Sequence, residues 1–503
     1  MVRKFLFLAL FCSVSVLNAQ KLEKTALKIS GMEISSSRRD PVGIYGFGSD
    51  ENNYYVYCSR ENLYLIINKK LTTAKKVAVP DNKNDNFLKI AMSGDDIFVF
   101  ISRYKKSEGK GEVVMRTLNK TTGKLKNEKV MATFSMKKSD FLGIATTVSP
   151  DNNKTAFLFL LADKKDKADS YYVMVLDDSY NLEWSSAYDL EVSNEVFSVK
   201  DFTITNKGEL YLAFFSYPEN AKKALDKKSY IDLIYLTEET KEKMKMPFEK
   251  CEFAEISLKP LKSGDVYLAA LFTADEKSYA SEFFSMKING RNFNDAGSQK
   301  KEIAEKNTHV RFAANYMIPS SYLYYLEIEQ ILELDNGNIA VVCEQGISTY
   351  YVTQDGSRVF VKVRGAVNTF FVNGNDASIE NVSAMDKFQL QRVFANVNAK
   401  ATGLSVYPFV YGNKVAYLFN DSFKKYTNPA KYKAVSAKAF SEKGACIVLS
   451  TQESGEKANI ELLSGRSKEA GRLFRQILFQ EDDRLIVLTQ NKKDAYIETL
   501  SLP

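Results

Sequence analysis

The chain has 503 residues, of which 45% are hydrophobic, 12% aromatic and 26% charged, the profile of a globular protein and not of a disordered or fibrous one. Lys and Arg number 69 against 62 Asp and Glu, and the resulting +7 is spread along the whole length, too diffuse for a nucleic-acid partner. One His and one Trp exclude more: a His₃ metal site is impossible, and any histidine chemistry must run through His309 alone.

Residues 1–19 read as a secretory signal. Arg3 and Lys4 precede an apolar run from Phe5 to Val16, and Leu17-Asn18-Ala19 supplies a small residue before a cut that leaves Gln20 first. The run is too short for a membrane helix, and later apolar runs such as Ala156 to Ala162 and Val266 to Phe272 have strand length. No integral membrane segment is therefore expected after cleavage. The bulky Phe11 before Cys12 argues against lipidation. The Ala-Gln junction before a Lys-rich start is similar to signal peptides of the Bacteroidota, which implies export. Without Arg3 and Lys4 the net charge of +7 falls to +5.

Beyond the signal, almost every apolar segment is four to eight residues long, rich in Val, Ile, Tyr, Phe and Leu, and bounded by Asp, Asn, Gly or Lys turns. One unit recurs. Leu88 to Ser93 turns at Gly94-Asp95-Asp96 into Ile97 to Ser102; Gly143 to Val148 turns at Pro150 to Asn153 into Thr155 to Leu161. The same unit returns about the turns Asn206-Lys207-Gly208, Lys262-Ser263-Gly264 and Asp335-Asn336-Gly337, with weaker copies at Asn52, Gly412, Lys443 and Asp482. From Asp95 through Asn152, Lys207 and Gly264 the spacings are 57, 55 and 57 residues. Between these hairpins lie second strand pairs, such as Val113 to Leu118 with Lys129 to Phe134, and Tyr171 to Leu176 with Trp184 to Leu190.

Four strands per unit at this period predict an all-β fold, a β-propeller of seven or eight four-stranded blades. Eight is favoured, because Gly412, Lys443 and Asp482 crowd together and one of them fits an internal turn. The expected organisation is a signal at 1–19 and a single propeller domain over 20–503. The C-terminal strand Ala495 to Leu500 has no successor, so Leu22 to Ile29 is expected to close the ring. Residues 291–323 and 366–404 stretch the period and read as insertions, with short helices expected near Lys300 to Lys306 and Met385 to Phe394. Pro218 to Lys228 is a third, Lys-rich excursion. The stretch Val148-Ser149-Pro150-Asp151-Asn152-Asn153-Lys154-Thr155-Ala156-Phe157 resembles the turn of TolB-like and WD40-like propeller repeats, a resemblance that implies the fold and no activity.

Four Cys remain after the signal. An even number in an exported chain permits two disulfides, whereas Cys58, Cys343 and Cys446 each sit in an apolar strand run where a buried thiol is expected. Cys251 completes the set.

The motif survey yields no catalytic constellation. HExxH, an EF-hand loop, a GxSxG elbow and a Walker loop are all missing, and the Asn/Asp turns at Asn289 to Asp295 and Asn373 to Asp376 carry too few carboxylates for Ca²⁺. No cofactor or metal is expected. Gly43, Gly46 and Gly48 read as a close-packed inner strand. Most of the 33 Phe and 28 Tyr are expected between blades. The doublets Tyr324-Tyr325, Tyr350-Tyr351 and Phe370-Phe371, together with His309, are the candidate interface residues. The leading expectation is a non-enzymatic periplasmic propeller that binds a protein partner of the envelope, as an accessory subunit of an outer-membrane assembly. The alternative is a glycan-binding or glycan-cleaving propeller that uses carboxylates in the central funnel.

Overall fold

The computed structural model describes residues 27–502 apart from 34–42, 83–84, 106, 136–140, 165–166, 190–196, 217–228, 249–253, 273–281, 290–293, 303–324, 353–357, 386, 388, 394–404, 423–424, 426–444, 464–471 and 492–493. The strands fall into eight antiparallel sheets, each ordered as a meander. Seven are continuous in sequence. They run from β2 (Ile44–Ser49) to β5 (Ala74–Ala78), β6 (Asp85–Ser93) to β9 (Leu125–Ser135), and β10 (Phe141–Val148) to β13 (Leu182–Asp189). The next four run from β14 (Phe197–Ile204) to β17 (Lys241–Phe248), β18 (Ala254–Pro260) to β21 (Asn294–Glu302), β22 (Tyr325–Glu333) to β25 (Ile379–Met385), and β27 (Tyr407–Tyr411) to β30 (Asn459–Leu462). The eighth joins the chain ends: β31 (Arg472–Gln480), β32 (Arg484–Asn491) and β33 (Asp494–Ser501) are completed by β1 (Leu27–Glu33), with Leu27 opposite Ile497 and Ile29 opposite Ala495. The molecule is an eight-bladed β-propeller closed in this way.

Packing between blades follows from strand position. A blade's second strand has strands on both sides and neighbouring blades on both faces, so it reads as an unbroken apolar run. β3 (Asn53–Cys58) is buried from Tyr54 to Cys58, and β28 (Lys414–Ser422) from Val415 to Asp421. In the outermost β5 only Val77 is buried. One hydrophobic core fills each interface: Val99 and Tyr57 belong to that between blades 1 and 2, while Ile44, Leu65, Leu488 and Ile497 seal blade 8 to blade 1. The aromatic excess is spent largely here. Phe157 lies 5.0 Å from Phe100 of the preceding blade, centroid to centroid, and Phe214 lies 6.3 Å from Tyr171.

The repeated hairpins join first to second strands. In blade 3 the Ser149 hydroxyl donates to Asp151 at 2.6 Å and accepts the Lys154 amide at 2.9 Å, while Asn152 takes a left-handed φ of 61°. Gly208, Gly264 and Gly337 hold φ of 83°, 94° and 82° in the corresponding turns of blades 4, 5 and 6, conformations that cost a side chain strain. Inner strands also bulge against their second strands, at Gly46/Gly48, Phe87/Lys89, Phe141/Gly143, Val199/Asp201, Ile328/Gln330 and Phe474/Gln476. The added twist lets strands converge on the axis.

Three expectations change. Residues 294–302, expected within an insertion with a helix from Lys300, are the fourth strand of blade 5, where Lys300 and Lys301 pair with Phe284 and Phe283. The stretch 366–404 likewise begins inside a blade: 366–372 belong to β24 (Arg358–Val372), and Asn373 to Asp376 lie in the hairpin to β25. Instead of a helix over Met385 to Phe394, Gln389–Val393 form β26, because β24 runs past the blade and presents an edge there. Lys443 lies in 423–444, between the second and third strands of blade 7, so it starts no blade of its own. Residues 1–19, Cys251, Pro218 to Lys228, Tyr324 and His309 lie outside the described residues.

Candidate functional site

Antiparallel meanders sort the connections onto two faces. First-to-second and third-to-fourth turns share one face, and no connection there is longer than 149–154. Second-to-third connections and the links between blades share the other. That face also carries a regular projection. β23 (Ile339–Val352) and β24 have 14 and 15 residues. β22 follows β23 only to the pair Tyr325–Gly346, and β25 follows β24 only to Val367–Met385. Beyond these points Ile347–Val352 pair with Arg358–Val363, and β26 adds to β24 from Arg364–Gln389 to Phe360–Val393. A three-stranded sheet in the order β23-β24-β26 therefore stands out from blade 6.

Its neck is ionic. Glu344, on β23 where the register with β24 breaks, is fully buried; its carboxylate accepts from the equally buried Lys387 ammonium and from the Ser405 hydroxyl. Arg364 Nε lies 3.8 Å from Glu344 Oε2, and its Nη1 donates to Glu327 and lies 3.8 Å from Glu329. A side chain at Gly346 would run into this guanidinium, so the close approach requires glycine. Gln389 Oε1 accepts the Ser405 amide at 3.1 Å, and its side-chain amide donates to the Asn420 carbonyl of blade 7. From blade 5, Glu255 reaches across to accept the Ile328 amide at 2.7 Å. Burial, aided by Glu327 and Glu329 and opposed by Arg364, pushes the Glu255 carboxyl up to about 7. Burial also raises the Glu344 carboxyl and lowers the Lys387 ammonium, against their mutual attraction.

Chemically, three carboxylates, Glu327, Glu329 and Glu344, share two cations, and Glu344 and Lys387 are closed to solvent. Glu255 can exchange a proton near neutrality. Among the described residues no group of three His, Cys, Asp or Glu is placed to hold a metal. The network ties the projection to the ring.

The doublets separate. Tyr350 and Tyr351 lie in the projection, paired with Phe360 and Val359, and Tyr325 opens β22 at its base. Phe370 and Phe371 do not reach an interface: at 1% and 2% exposure they fill the cores on either side of blade 6, and Phe370 stacks on Phe283 with centroids 4.0 Å apart. Two residues apart in role though adjacent in sequence, they sit where β24 is still inside the blade. Glu344, Arg364, Lys387 and Glu255 escaped the sequence reading, since they converge from distant strands. A charge within the apolar run Val341-Val342-Cys343-Glu344 was the one available signal. Cys343 and Cys446 are buried free thiols, pushed up by burial, the latter to about 12.

No protein-family model and no curated protein matches the chain. Among solved structures, the polysaccharide lyase Uly1 is similar at 9% identity and TM-score 0.36, over 96% of this chain and 100% of that one. The WD40 domain of SCAP from fission yeast is similar at 10% identity and TM-score 0.35, over 93% and 97%. The β-propeller domain of the Trilobed protease from Pyrococcus furiosus is similar at 9% identity and TM-score 0.34, over 84% and 97%.

Proposed function

We propose that this propeller is a non-enzymatic, exported binding protein, and that it engages a protein partner of the cell envelope through the face of the second-to-third connections. The carrying observation is the projection β23-β24-β26, a regular sheet that leaves the ring with its neck locked by Glu344, Lys387 and Arg364. Such a sheet contributes nothing to ring closure, and a buried ionic neck holds it at one angle, as a recognition element needs. The signal-like residues 1–19 support a periplasmic setting and an accessory role in an outer-membrane assembly.

A photo-crosslinking residue at Val352, which is 58% exposed in the projection, tests this in intact cells against one at Asn152 on the tight-turn face. A discrete protein adduct from position 352 and none from 152 is expected. Equal patterns, or no adduct at 352, overturn the reading.

A further inference from the structure

Three successive innermost strands end around one cavity of about 360 Å³ on the tight-turn face. Blade 3 contributes Thr147, Ser149 and Asn152, blade 4 Asp201 and Thr203, and blade 5 Lys259. Most of these polar groups are committed to the wall. Asp201 Oδ2 accepts the Ser257 hydroxyl at 2.9 Å and the Leu258 amide at 2.7 Å, and its Oδ1 accepts the Phe202 amide at 2.8 Å. That arrangement staples blade 4 to blade 5 and leaves Oδ1 able to accept once more.

Lys259 differs. It is half-buried, and its ammonium has no hydrogen-bond or salt-bridge partner among the described residues. Burial lowers its pKa, with the nearby Glu333 opposing that shift. A cation partly removed from water and held in no salt bridge is costly even with Glu333 nearby, and an anion entering the cavity offsets that cost. Around it Thr147, Thr203 and Asn152 offer two hydroxyls and an amide that can donate and accept, and Ser149, whose proton goes to Asp151, keeps one lone pair to accept with, as the hydroxyl groups of a polyol require. The volume falls in the range of small-molecule sites.

We propose that this cavity binds a small sugar acid, with the guest carboxylate on the Lys259 ammonium and its hydroxyls on Asp201, Thr203, Ser149 and Asn152. The site lies on the face opposite the projection and does not rest on the protein-binding reading.

Calorimetric titration of the full chain with D-galacturonate, D-galactose and inorganic phosphate tests it. Saturable galacturonate binding is expected, with galactose and phosphate each weaker by on the order of tenfold. Lys259→Met should weaken galacturonate by about the same factor and leave galactose unchanged. Asn152→Ala, in an exposed turn, gives a second variant should Lys259→Met unfold, and is expected to weaken both sugars. Absence of saturable galacturonate binding overturns the proposal. So does galacturonate affinity unaltered in a folded Lys259→Met or, where that variant unfolds, in Asn152→Ala. Phosphate binding as tightly as galacturonate also overturns it, since the site would then read only a point anion.

Discussion

Glu255 on β18 accepts the backbone amide of Ile328 on β22 at 2.7 Å, at the residue where β22 slips out of register with its own blade. One blade earlier Asp201 does the same to Leu258, at 2.7 Å, with the slip in register this time on the strand that carries the carboxylate. Carboxylates on inner strands thus satisfy amides of the next blade's inner strand, a polar seam inside the apolar ring.

The seam has a pH signature. Folding raises the Glu255 carboxyl from an ordinary 4.5 to about 7, so between those values the native state holds more protons than the unfolded chain. Stability should then fall as pH rises from about 4.5 to about 7 and level off above it, by on the order of 2 kcal/mol from this group. Glu255→Gln keeps an acceptor for Ile328 and removes the titration. Denaturant midpoints at pH 5 and pH 7.5 should differ less in the variant than in the parent; an unchanged pH slope would show that Glu255 does not titrate in this range.

Breaking the neck should cost more than removing it. Lys387→Met strands the Glu344 carboxylate in a site closed to solvent, with a loss of about 3–5 kcal/mol. Pairing it with Glu344→Gln should recover much of that loss. Unfolding curves of the two single variants and the double variant form the cycle that checks this. Additive losses would mean that the two groups act separately.

The period, the strand alternation and the Asn/Gly turns made the blades legible in sequence, because each depends on neighbours within about ten residues. Ring closure was legible as well, since a final third strand needs a fourth. The run from Arg358 to Val372 was harder. Its first half pairs with β26 and its second half with β25, and only the partners reveal where the blade stops. Lys300 and Lys301 suggested a polar insertion, whereas an outermost strand tolerates charge along most of its length, as β5 also shows. The ionic neck was invisible because its members are brought together by tertiary pairing alone.

Closure predicts an aggregation switch. Ile29 is 3% exposed and faces Ala495 across the last blade. Ile29→Ala should cost about 2–4 kcal/mol through the cavity it leaves. Removal of residues up to Glu33 should do more, because β33 becomes an open edge able to pair with another chain. Light scattering after size exclusion should show higher oligomers for the truncated chain and a monomer-sized species for Ile29→Ala. A truncated chain that stays the size of the parent would mean that β1 does not guard the edge.

Gly46 tests the inner ring directly. A Cβ there would meet the Leu478 carbonyl and the Phe479 ring of blade 8, and neither can withdraw without disturbing β31 or the stacking of Phe479 on Tyr54, whose centroids are 4.9 Å apart. Gly412 provides the contrast. Its φ of 61° strains a side chain, but nothing lies within 4 Å of its added Cβ. Gly412→Ala should therefore cost about 1 kcal/mol from backbone conformation alone, and Gly46→Ala should cost about 2–3 kcal/mol from overpacking. Thermal unfolding of both variants decides whether close approach between blades 1 and 8 or turn conformation is the stricter demand. A smaller shift for Gly46→Ala than for Gly412→Ala would show that the closing interface can relax.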